Sequence, residues 1–204
     1  MVGRKKSERR GTPADLLVVG LANPGDEYAQ TRHNAGAWVI HELVSRHGGK
    51  LTRGKRDFAE ADELRIGGSR LAVAIPTTYM NESGKAVAPL VRRYGIEDLS
   101  RLVIVHDELD LPVGRLKVKL GGGLAGNNGL KSVRAHLRAD AFARIRIGVG
   151  KPEPGTMKGA DYVLRRPARS ERPELDRVVG EAADAIEFLL ENDIEATMNR
   201  FNRS

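Results

Sequence analysis

The chain lacks several residue types on which common folds and active sites depend. None of its 204 residues is cysteine, so disulfide bonds, thiolate metal sites and cysteine nucleophiles are excluded. Its apolar runs are short, and none approaches the roughly 20 residues that a membrane-spanning helix needs. The first residues also lack the apolar segment of a secretory signal. We therefore expect a cytoplasmic protein that does not contact a membrane.

Basic residues outnumber acidic ones, and they are distributed unevenly along the chain. The formal net charge is +7, and residues 1–10 alone hold five cations and one acidic residue, a net of +4. We predict that residues 1–13 form a disordered basic tail. Residues 14–204 have the length of one domain with a sizeable core. A nucleic-acid partner must therefore be argued from cations in that domain.

Apolar runs typical of buried strands alternate with segments of helical periodicity. The predicted strands are 14–19, 58–66, 70–75, 102–105, 115–120 and 142–149, and the predicted helices begin at Asn34, Ser83, Asn128 and Pro173. Ser83 and Asn128 are residue types that cap helices well. The interleaved order predicts an α/β fold with a central sheet. The hairpin at 58–75 makes that sheet mixed.

Several familiar motifs are incomplete in this chain. The segment from His41 lacks the second histidine of a zinc-binding helix, and the glycine-rich segment 121–129 lacks the Gly-Lys-Ser/Thr of a phosphate-binding loop. There is no Gly-x-Ser-x-Gly nucleophile elbow. Asp107, Glu108 and Asp110 could hold a divalent ion, but their spacing is not typical of such a site. We therefore expect neither a metal nor a cofactor.

His33 stands apart from the other four histidines because small and polar residues surround it where a turn meets a predicted helix. Such junctions often carry catalytic groups, so His33 is a candidate general base, with a helix cap as the alternative. Asp107 follows the apolar strand 102–105 and could reach His33 if the strands are neighbours. A carboxylate on one imidazole nitrogen leaves the other free to take a proton. The alternative for Asp107 is capping the turn before Pro112.

Three asparagines, Asn23, Asn81 and Asn128, each lie at a predicted loop or turn. An uncharged amide offers two donors and one acceptor, which suits orienting a carbonyl and stabilising an oxyanion. Tyr28 and Tyr79 flank these loops and could stack on a base or a peptide plane. The alternative is that the asparagines are turn residues and that the tyrosines pack at the edge of the core.

Cations alternate with apolar residues on two predicted strands. Arg115, Lys117 and Lys119 share one face of the first strand, and Arg144 and Arg146 repeat the pattern on the second. Two strands with cations on the same side would suit the phosphates of a nucleic acid. An ordinary solvated strand face is the alternative.

Five segments of the sequence together resemble the bacterial peptidyl-tRNA hydrolases. They are VGLANPGDEYAQTRHNAG, PTTYMNESGKAV, HDELDLPVGRLKVKLGGG, NNGLKSV and RIRIGVGKP, in this order along the chain. The resemblance implies a single three-layer α/β/α domain with a mixed sheet. It also implies hydrolysis of the ester between an N-blocked peptide and the terminal ribose of tRNA, which recycles tRNA from aborted translation.

The resemblance also assigns roles to individual residues. It implies that His33 is the general base for water, that Asp107 stabilises and orients it, and that Asn23 separates blocked from free aminoacyl-tRNA. The substrate contacts that it implies are Tyr28, Tyr79, Asn81 and Asn128, and Lys119 and Arg146 match a phosphate-binding pair. The implied partner is peptidyl-tRNA, bound at its acceptor stem and CCA end. The chemistry needs no metal, and because the sequence has no evident apolar interface segment, we expect a monomer.

One position departs from the family pattern. Asn127 stands where many members have a histidine that is thought to contact the RNA. This change, together with the basic tail, is compatible with a second interpretation, in which the chain is a non-catalytic RNA-binding relative with the same fold. The presence of His33, Asp107 and Asn23 favours the hydrolase. A small-molecule esterase is disfavoured because the chain has no nucleophile motif and carries two basic strands.

Overall fold

The computed structural model describes residues 12–54 and 56–202, which form one seven-stranded sheet with helices on both faces. The strands are β1 (Leu16–Gly20), β2 (Thr52–Gly54), β3 (Ala59–Ile66), β4 (Ser69–Pro76), β5 (Leu102–Glu108), β6 (Leu116–Leu120) and β7 (Ala143–Gly148). The helices are α1 (Asp26–Ala29), α2 (Ala35–Arg46), α3 (Gly84–Arg93), α4 (Asn128–Leu137), α5 (Gly159–Val163), α6 (Arg172–Glu191) and α7 (Ile194–Phe201). Short 3-10 turns lie at Arg32–Asn34, Met80–Glu82 and Leu99–Arg101.

The sheet is mixed, as the sequence predicted. Its strand order is β2-β3-β4-β1-β5-β7-β6. β1 runs parallel to β4 and β5, and β5 runs parallel to β7, whereas β2, β3 and β6 run antiparallel to their neighbours. The predicted hairpin is β3–β4, in which Ile66 pairs with Ser69 across Gly67 and Gly68.

The apolar runs of the sequence form the middle of this sheet. Every residue of β1 and of β5 is buried, because helices cover both faces of these parallel strands. One apolar cluster lies between the sheet and helices α2 and α6, and a second lies between the sheet and helices α3 and α4. These two clusters confirm the predicted three-layer α/β/α architecture.

The two predicted helix caps are wrong in detail. Ser83 precedes α3, but its hydroxyl donates to the carbonyl of Met80 and caps no amide of the helix. Asn127 rather than Asn128 caps α4, because its Oδ1 accepts a hydrogen bond from the backbone N–H of Leu130 at 3.0 Å. Asn128 is the first residue of that helix, so its side chain is not engaged in capping.

Two glycines allow α2 to approach the sheet closely. A Cβ atom on Gly36 would lie 2.4 Å from the carbonyl oxygen of Val105, and one on Gly20 would lie 2.2 Å from the oxygen of Gly36. Side chains cannot be accommodated at such distances, so the first turn of α2 rests directly on the carboxyl ends of β1 and β5. This contact places the preceding turn, which contains His33, beside the end of β5.

The predicted tail, residues 1–13, falls mostly outside the residues that the structure describes. Of its described part, Thr12 accepts a hydrogen bond from the guanidinium of Arg70, and Pro13 lies against Gly95. These two residues therefore contact the folded domain. In the described ranges, no helix is both long and apolar enough to cross a membrane.

Candidate active site

A cleft of about 500 Å³ opens at the carboxyl ends of β1 and β5. Adjacent parallel strands end at the same edge of a sheet, so the loops that follow them meet there. The cleft is lined by Asn23, His33, Tyr79, Met80, Asn81, Asp107, Glu108, Leu109, Ala125, Gly126, Asn127, Asn128, Gly159, Ala160, Val163 and Leu164. The predicted catalytic residues Asn23, His33 and Asp107 therefore lie together at one place with three of the four predicted substrate contacts.

His33 and Asp107 form a hydrogen-bonded pair in this cleft. The distance from Nδ1 of His33 to Oδ1 of Asp107 is 3.0 Å, and their side chains are 16% and 4% exposed. An ionised carboxylate can only accept, so Nδ1 carries a proton and Nε2 is left to accept one. Among the described residues, the His33 side chain makes no other hydrogen bond. The alternative roles considered from the sequence do not apply, because neither His33 nor Asp107 caps a helix.

Opposing effects act on the pKa of His33. Burial lowers the pKa, but the charge of Asp107 and its hydrogen bond raise it, and together they leave the pKa above its ordinary value of 6.5. The partner carboxylate therefore makes the neutral imidazole a stronger base than a free histidine. A base whose pKa lies near the working pH is well suited to proton transfer.

The side chain of Asn23 has a fixed orientation. Its Oδ1 accepts a hydrogen bond from the backbone N–H of Met80 at 2.8 Å. Its own backbone N–H donates to Oδ1 of Asn34, and its carbonyl accepts from Nδ2 of Asn34, both at 2.9 Å. Because the oxygen of the Asn23 amide is already engaged, the group left for a ligand is the Nδ2 donor.

Two other predicted amides and one tyrosine also line the cleft. Asn81 and Asn128 are exposed, and within the described ranges their side chains make no hydrogen bond. Tyr79 is 55% exposed at the rim. Tyr28 differs from the prediction, because it is half-buried in α1 and is not among the residues that line the cleft.

Comparison with known proteins identifies the family. A family model described as peptidyl-tRNA hydrolase matches residues 17–204. The peptidyl-tRNA hydrolase of Rhodococcus erythropolis is 48% identical over 186 residues, which are 91% of this chain and 97% of that protein. The crystal structure of peptidyl-tRNA hydrolase from Acinetobacter baumannii matches with a TM-score of 0.86 at 34% identity, covering 95% of this chain and 97% of that one. The chain belongs to the peptidyl-tRNA hydrolase family.

Membership in the peptidyl-tRNA hydrolase family confirms the resemblance drawn from the sequence. The agreement extends to Mycolicibacterium gilvum, whose peptidyl-tRNA hydrolase is 46% identical over 184 residues, 90% of this chain and 95% of that protein. Both the family match and these relatives span nearly the whole described chain. The fold class predicted from the interleaved strands and helices is confirmed by the same comparison.

The basic strands of this peptidyl-tRNA hydrolase family member form only part of the predicted cationic face. β6 and β7 are neighbours, and Lys117 pairs with Arg146 and Lys119 with Arg144. Lys117 is exposed and Lys119 half-buried, and neither makes a salt bridge within the described ranges. Arg115, at the start of the same edge, is also exposed. These three cations are accessible to an anionic partner.

The two arginines of β7, both predicted to bind phosphate, differ in exposure and in their contacts. Arg144 is only 2% exposed, and its guanidinium donates to the carbonyls of Gly121 and of Gly123, the latter at 2.8 Å. It therefore holds the glycine-rich loop in place and is not accessible for a phosphate, which corrects the prediction. Arg146 forms an ion pair with Glu108 at 2.8 Å, and its side chain is 17% exposed.

Sequence reasoning missed Arg32, which lies next to His33. Its guanidinium forms an ion pair with Glu171 at 2.6 Å, donates to the carbonyl of Arg166 at 2.9 Å and lies 4.1 Å from the ring centroid of Tyr162. These contacts attach the segment that contains α5 to the turn that carries His33. Gly159, Ala160 and Val163 of α5 line the cleft, so Arg32 helps to form its wall.

His106, which precedes Asp107, lies on the other face of β5 and is 1% exposed. Burial lowers its pKa, so the ring is neutral, and its Nδ1 lies 2.7 Å from the carbonyl oxygen of Asp107. No group of three His, Asp or Glu residues within the described ranges is arranged to hold a metal ion.

Proposed function

We propose that the chain hydrolyses the ester between an N-blocked peptide and the terminal ribose of tRNA, with His33 as general base. The observation that carries the proposal is the hydrogen bond between half-buried His33 and buried Asp107, with the remaining nitrogen of His33 unengaged in a cleft lined by amides. Membership in the peptidyl-tRNA hydrolase family supports the substrate class.

The reaction needs one water molecule and one proton carrier. Nε2 of His33 takes a proton from the water as its oxygen attacks the ester carbonyl. The imidazolium formed is stabilised by the carboxylate of Asp107. When the tetrahedral intermediate collapses, the bond to the ribose oxygen breaks, and the imidazolium returns its proton to that oxygen. The products are tRNA with a free ribose hydroxyl and the peptide acid, which loses its remaining proton to solvent at neutral pH.

Asn23 supplies the donor for the oxyanion in this mechanism. Its Nδ2 is the polar group that remains after Met80 and Asn34 have fixed the rest of the residue. A donor that is already oriented needs no reorganisation during the reaction. One such donor stabilises the transition state by about 3 kcal/mol.

The selectivity for blocked substrates follows from the uncharged amides. Asn81 and Asn128 can donate to the carbonyl and accept from the N–H of the first peptide bond. Free aminoacyl-tRNA presents an ammonium group instead, which is costly to desolvate and accepts no hydrogen bond. We therefore expect the enzyme to discriminate against unblocked aminoacyl-tRNA.

The accessible cations of β6 supply the contact with tRNA. Lys117 and Lys119 extend from the strand that forms one edge of the sheet, and Arg115 precedes them. Phosphate contacts from such side chains position a nucleic acid without reading its sequence. The acceptor stem would lie along this edge, with the CCA end in the cleft.

The decisive experiment is release of an N-acetylated amino acid from its tRNA, with unblocked aminoacyl-tRNA in parallel and EDTA present. We expect cleavage of the blocked substrate only. The variant His33→Ala should lower the turnover by about a hundredfold or more, because general-base catalysis contributes that much. His136→Ala, which changes an exposed histidine at the end of α4, is the matched control and should have little effect.

Three results would contradict parts of this proposal. A loss of less than about tenfold in His33→Ala would remove His33 from the role of general base. Binding of tRNA without any cleavage would instead favour the non-catalytic RNA-binding relative. Activity that is present without EDTA and lost when EDTA is added would show that the reaction depends on a metal.

A further inference from the structure

The outer side of β6 is an edge of the sheet, and no further strand pairs with it among the described residues. In an antiparallel strand, the backbone N–H and carbonyl of successive residues point alternately toward the partner strand and away from it. The outward-pointing groups of an edge strand need a partner other than a strand. Val118 is the central residue of β6, and it lies between Lys117 and Lys119.

The side-chain amide of Asn202 takes the place of a neighbouring strand at Val118. Its Oδ1 accepts a hydrogen bond from the backbone N–H of Val118 at 2.7 Å, and its Nδ2 donates to the carbonyl of the same residue at 2.8 Å. Antiparallel strands exchange the same two bonds between paired residues. One side chain, 84 residues further along the chain, therefore satisfies both outward-pointing groups of Val118.

Asn202 follows α7, which is firmly attached to the domain. The side chain of Asp193 caps the first turn of α7, and Thr197 in its middle is fully buried. Phe201 packs against the apolar cluster between the sheet and α6, and its ring lies edge-on to that of Phe188 with the centroids 5.8 Å apart. The amide of Asn202 is therefore presented from a fixed base, so it holds β6 at a defined position.

The contact with Asn202 lies between two cations that point to the other face of the sheet. Val118 is 1% exposed and belongs to the cluster on the α6 side. Alternation along the strand places Lys117 and Lys119 on the opposite face, about 6.6 Å apart. The loop before β6 is held separately, because Arg177 donates to the carbonyl of Gly114 at 2.8 Å. Asn202 therefore fixes the part of the strand from which the two lysines extend.

We propose that Asn202 is a positioning residue for tRNA binding, which holds Lys117 and Lys119 at the spacing that two phosphates require. The inference rests on the part of the proposed function that brings tRNA to β6. A strand that is already fixed leaves less freedom to be lost when its side chains bind. Asn202 does not line the catalytic cleft, so it should affect binding and not the proton transfer at His33.

The test measures the binding of deacylated tRNA separately from the cleavage of an N-acetylated aminoacyl-tRNA. The variant Asn202→Leu keeps the approximate size of the side chain and removes both hydrogen bonds to Val118. Asn192→Leu is the matched control, because Asn192 is also exposed and its Nδ2 also donates to a backbone carbonyl, that of Phe188 at 2.8 Å. Asn192 follows α6 and does not bond to β6. Urea unfolding of each variant identifies conditions under which all of them are folded.

We expect Asn202→Leu to weaken tRNA binding by about fivefold and to reduce the slope of log Kd against log[salt] by about 1, as the loss of one phosphate contact would. KM for the acetylated substrate should rise similarly, while kcat should change by less than about twofold, because only binding is affected. Asn192→Leu should change none of these values. A Kd for Asn202→Leu within about twofold of the wild-type value would overturn the proposal.

A second background shows whether Asn202 acts through the lysines. In the variant Lys117→Ala/Lys119→Ala, the further change Asn202→Leu should alter tRNA binding by less than about twofold. An equal loss in both backgrounds would mean that Asn202 only stabilises the strand. Binding that depends on Asn202 in a protein that cleaves no substrate would disprove the proposed hydrolysis but support the positioning role. If the wild-type protein does not bind tRNA, both proposals are wrong.

Discussion

The side-chain amide of Asn34 holds the backbone of Asn23 at both of its polar atoms. Asn34 is 4% exposed, and its Oδ1 and Nδ2 each make a 2.9 Å hydrogen bond, one to the N–H and one to the carbonyl of Asn23. Met80 fixes the Asn23 side chain separately. Asn34 follows His33 directly, so one short turn carries both the proposed base and the residue that orients the proposed oxyanion donor.

Asn34 should therefore affect catalysis through Asn23. We expect Asn34→Ala to lower kcat on the order of tenfold or more, because a small displacement of a catalytic donor is costly. It should also lower the free energy of unfolding by about 1–3 kcal/mol, since two backbone groups lose their partner. Steady-state kinetics and urea unfolding measure the two effects.

A double-mutant cycle separates this positioning role from a general loss of structure. If Asn34 acts through Asn23, the double variant Asn23→Ala/Asn34→Ala should have nearly the same kcat as Asn23→Ala alone. Multiplicative losses of kcat in the double variant would show that Asn34 acts independently of Asn23.

The pH dependence should report the pairing of His33 with Asp107. The base is active when neutral, so kcat/KM should rise with pH through the pKa of His33, which lies above 6.5. In Asp107→Asn the raising effect of the charge is lost while the lowering effect of burial remains. The acid limb of the plot of kcat/KM against pH should therefore move to lower pH, and the maximum value of kcat/KM should be reduced.

Proton NMR of the His33 ring gives the same pKa without catalysis. It should titrate above 6.5 in the wild-type protein and at lower pH in Asp107→Asn. An unchanged His33 titration in the variant would mean that the carboxylate does not set the pKa of the base.

The sequence predicted the centre of the site better than its surroundings. The proximity of His33 and Asp107 could be predicted from the sequence because each lies beyond the end of a predicted strand. The carboxyl ends of neighbouring parallel strands lie side by side, so residues that follow them come close together. Arg144 could not be placed correctly, because alternation gives the face of a strand but not whether a loop covers it. Arg32 was missed because its partner Glu171 is 139 residues away and no local pattern connects them.

The N-terminus of α4 provides a contrast between two adjacent asparagines. Asn127 caps the helix, so Asn127→Ala should lower the free energy of unfolding by about 1 kcal/mol. Asn127→Asp should keep most of the wild-type stability, because aspartate also caps helices well. Asn128→Ala should leave stability nearly unchanged and raise KM, because the Asn128 side chain caps nothing and lines the cleft. Urea unfolding and steady-state kinetics distinguish the two. Destabilisation by Asn128→Ala alone would reverse the assignment.

Salt dependence should distinguish the cations that we propose contact tRNA from the arginine that holds a loop. Lys119 is accessible on β6, so Lys119→Ala should weaken binding and reduce the slope of log(kcat/KM) against log[salt] by about 1. Arg144→Met should leave that slope unchanged and instead lower the stability, because the buried guanidinium holds the carbonyls of Gly121 and Gly123. The two slopes are compared at a temperature where both variants are folded. A reduced slope in folded Arg144→Met would show that Arg144 reaches a phosphate after all, and that the glycine-rich loop opens when tRNA binds.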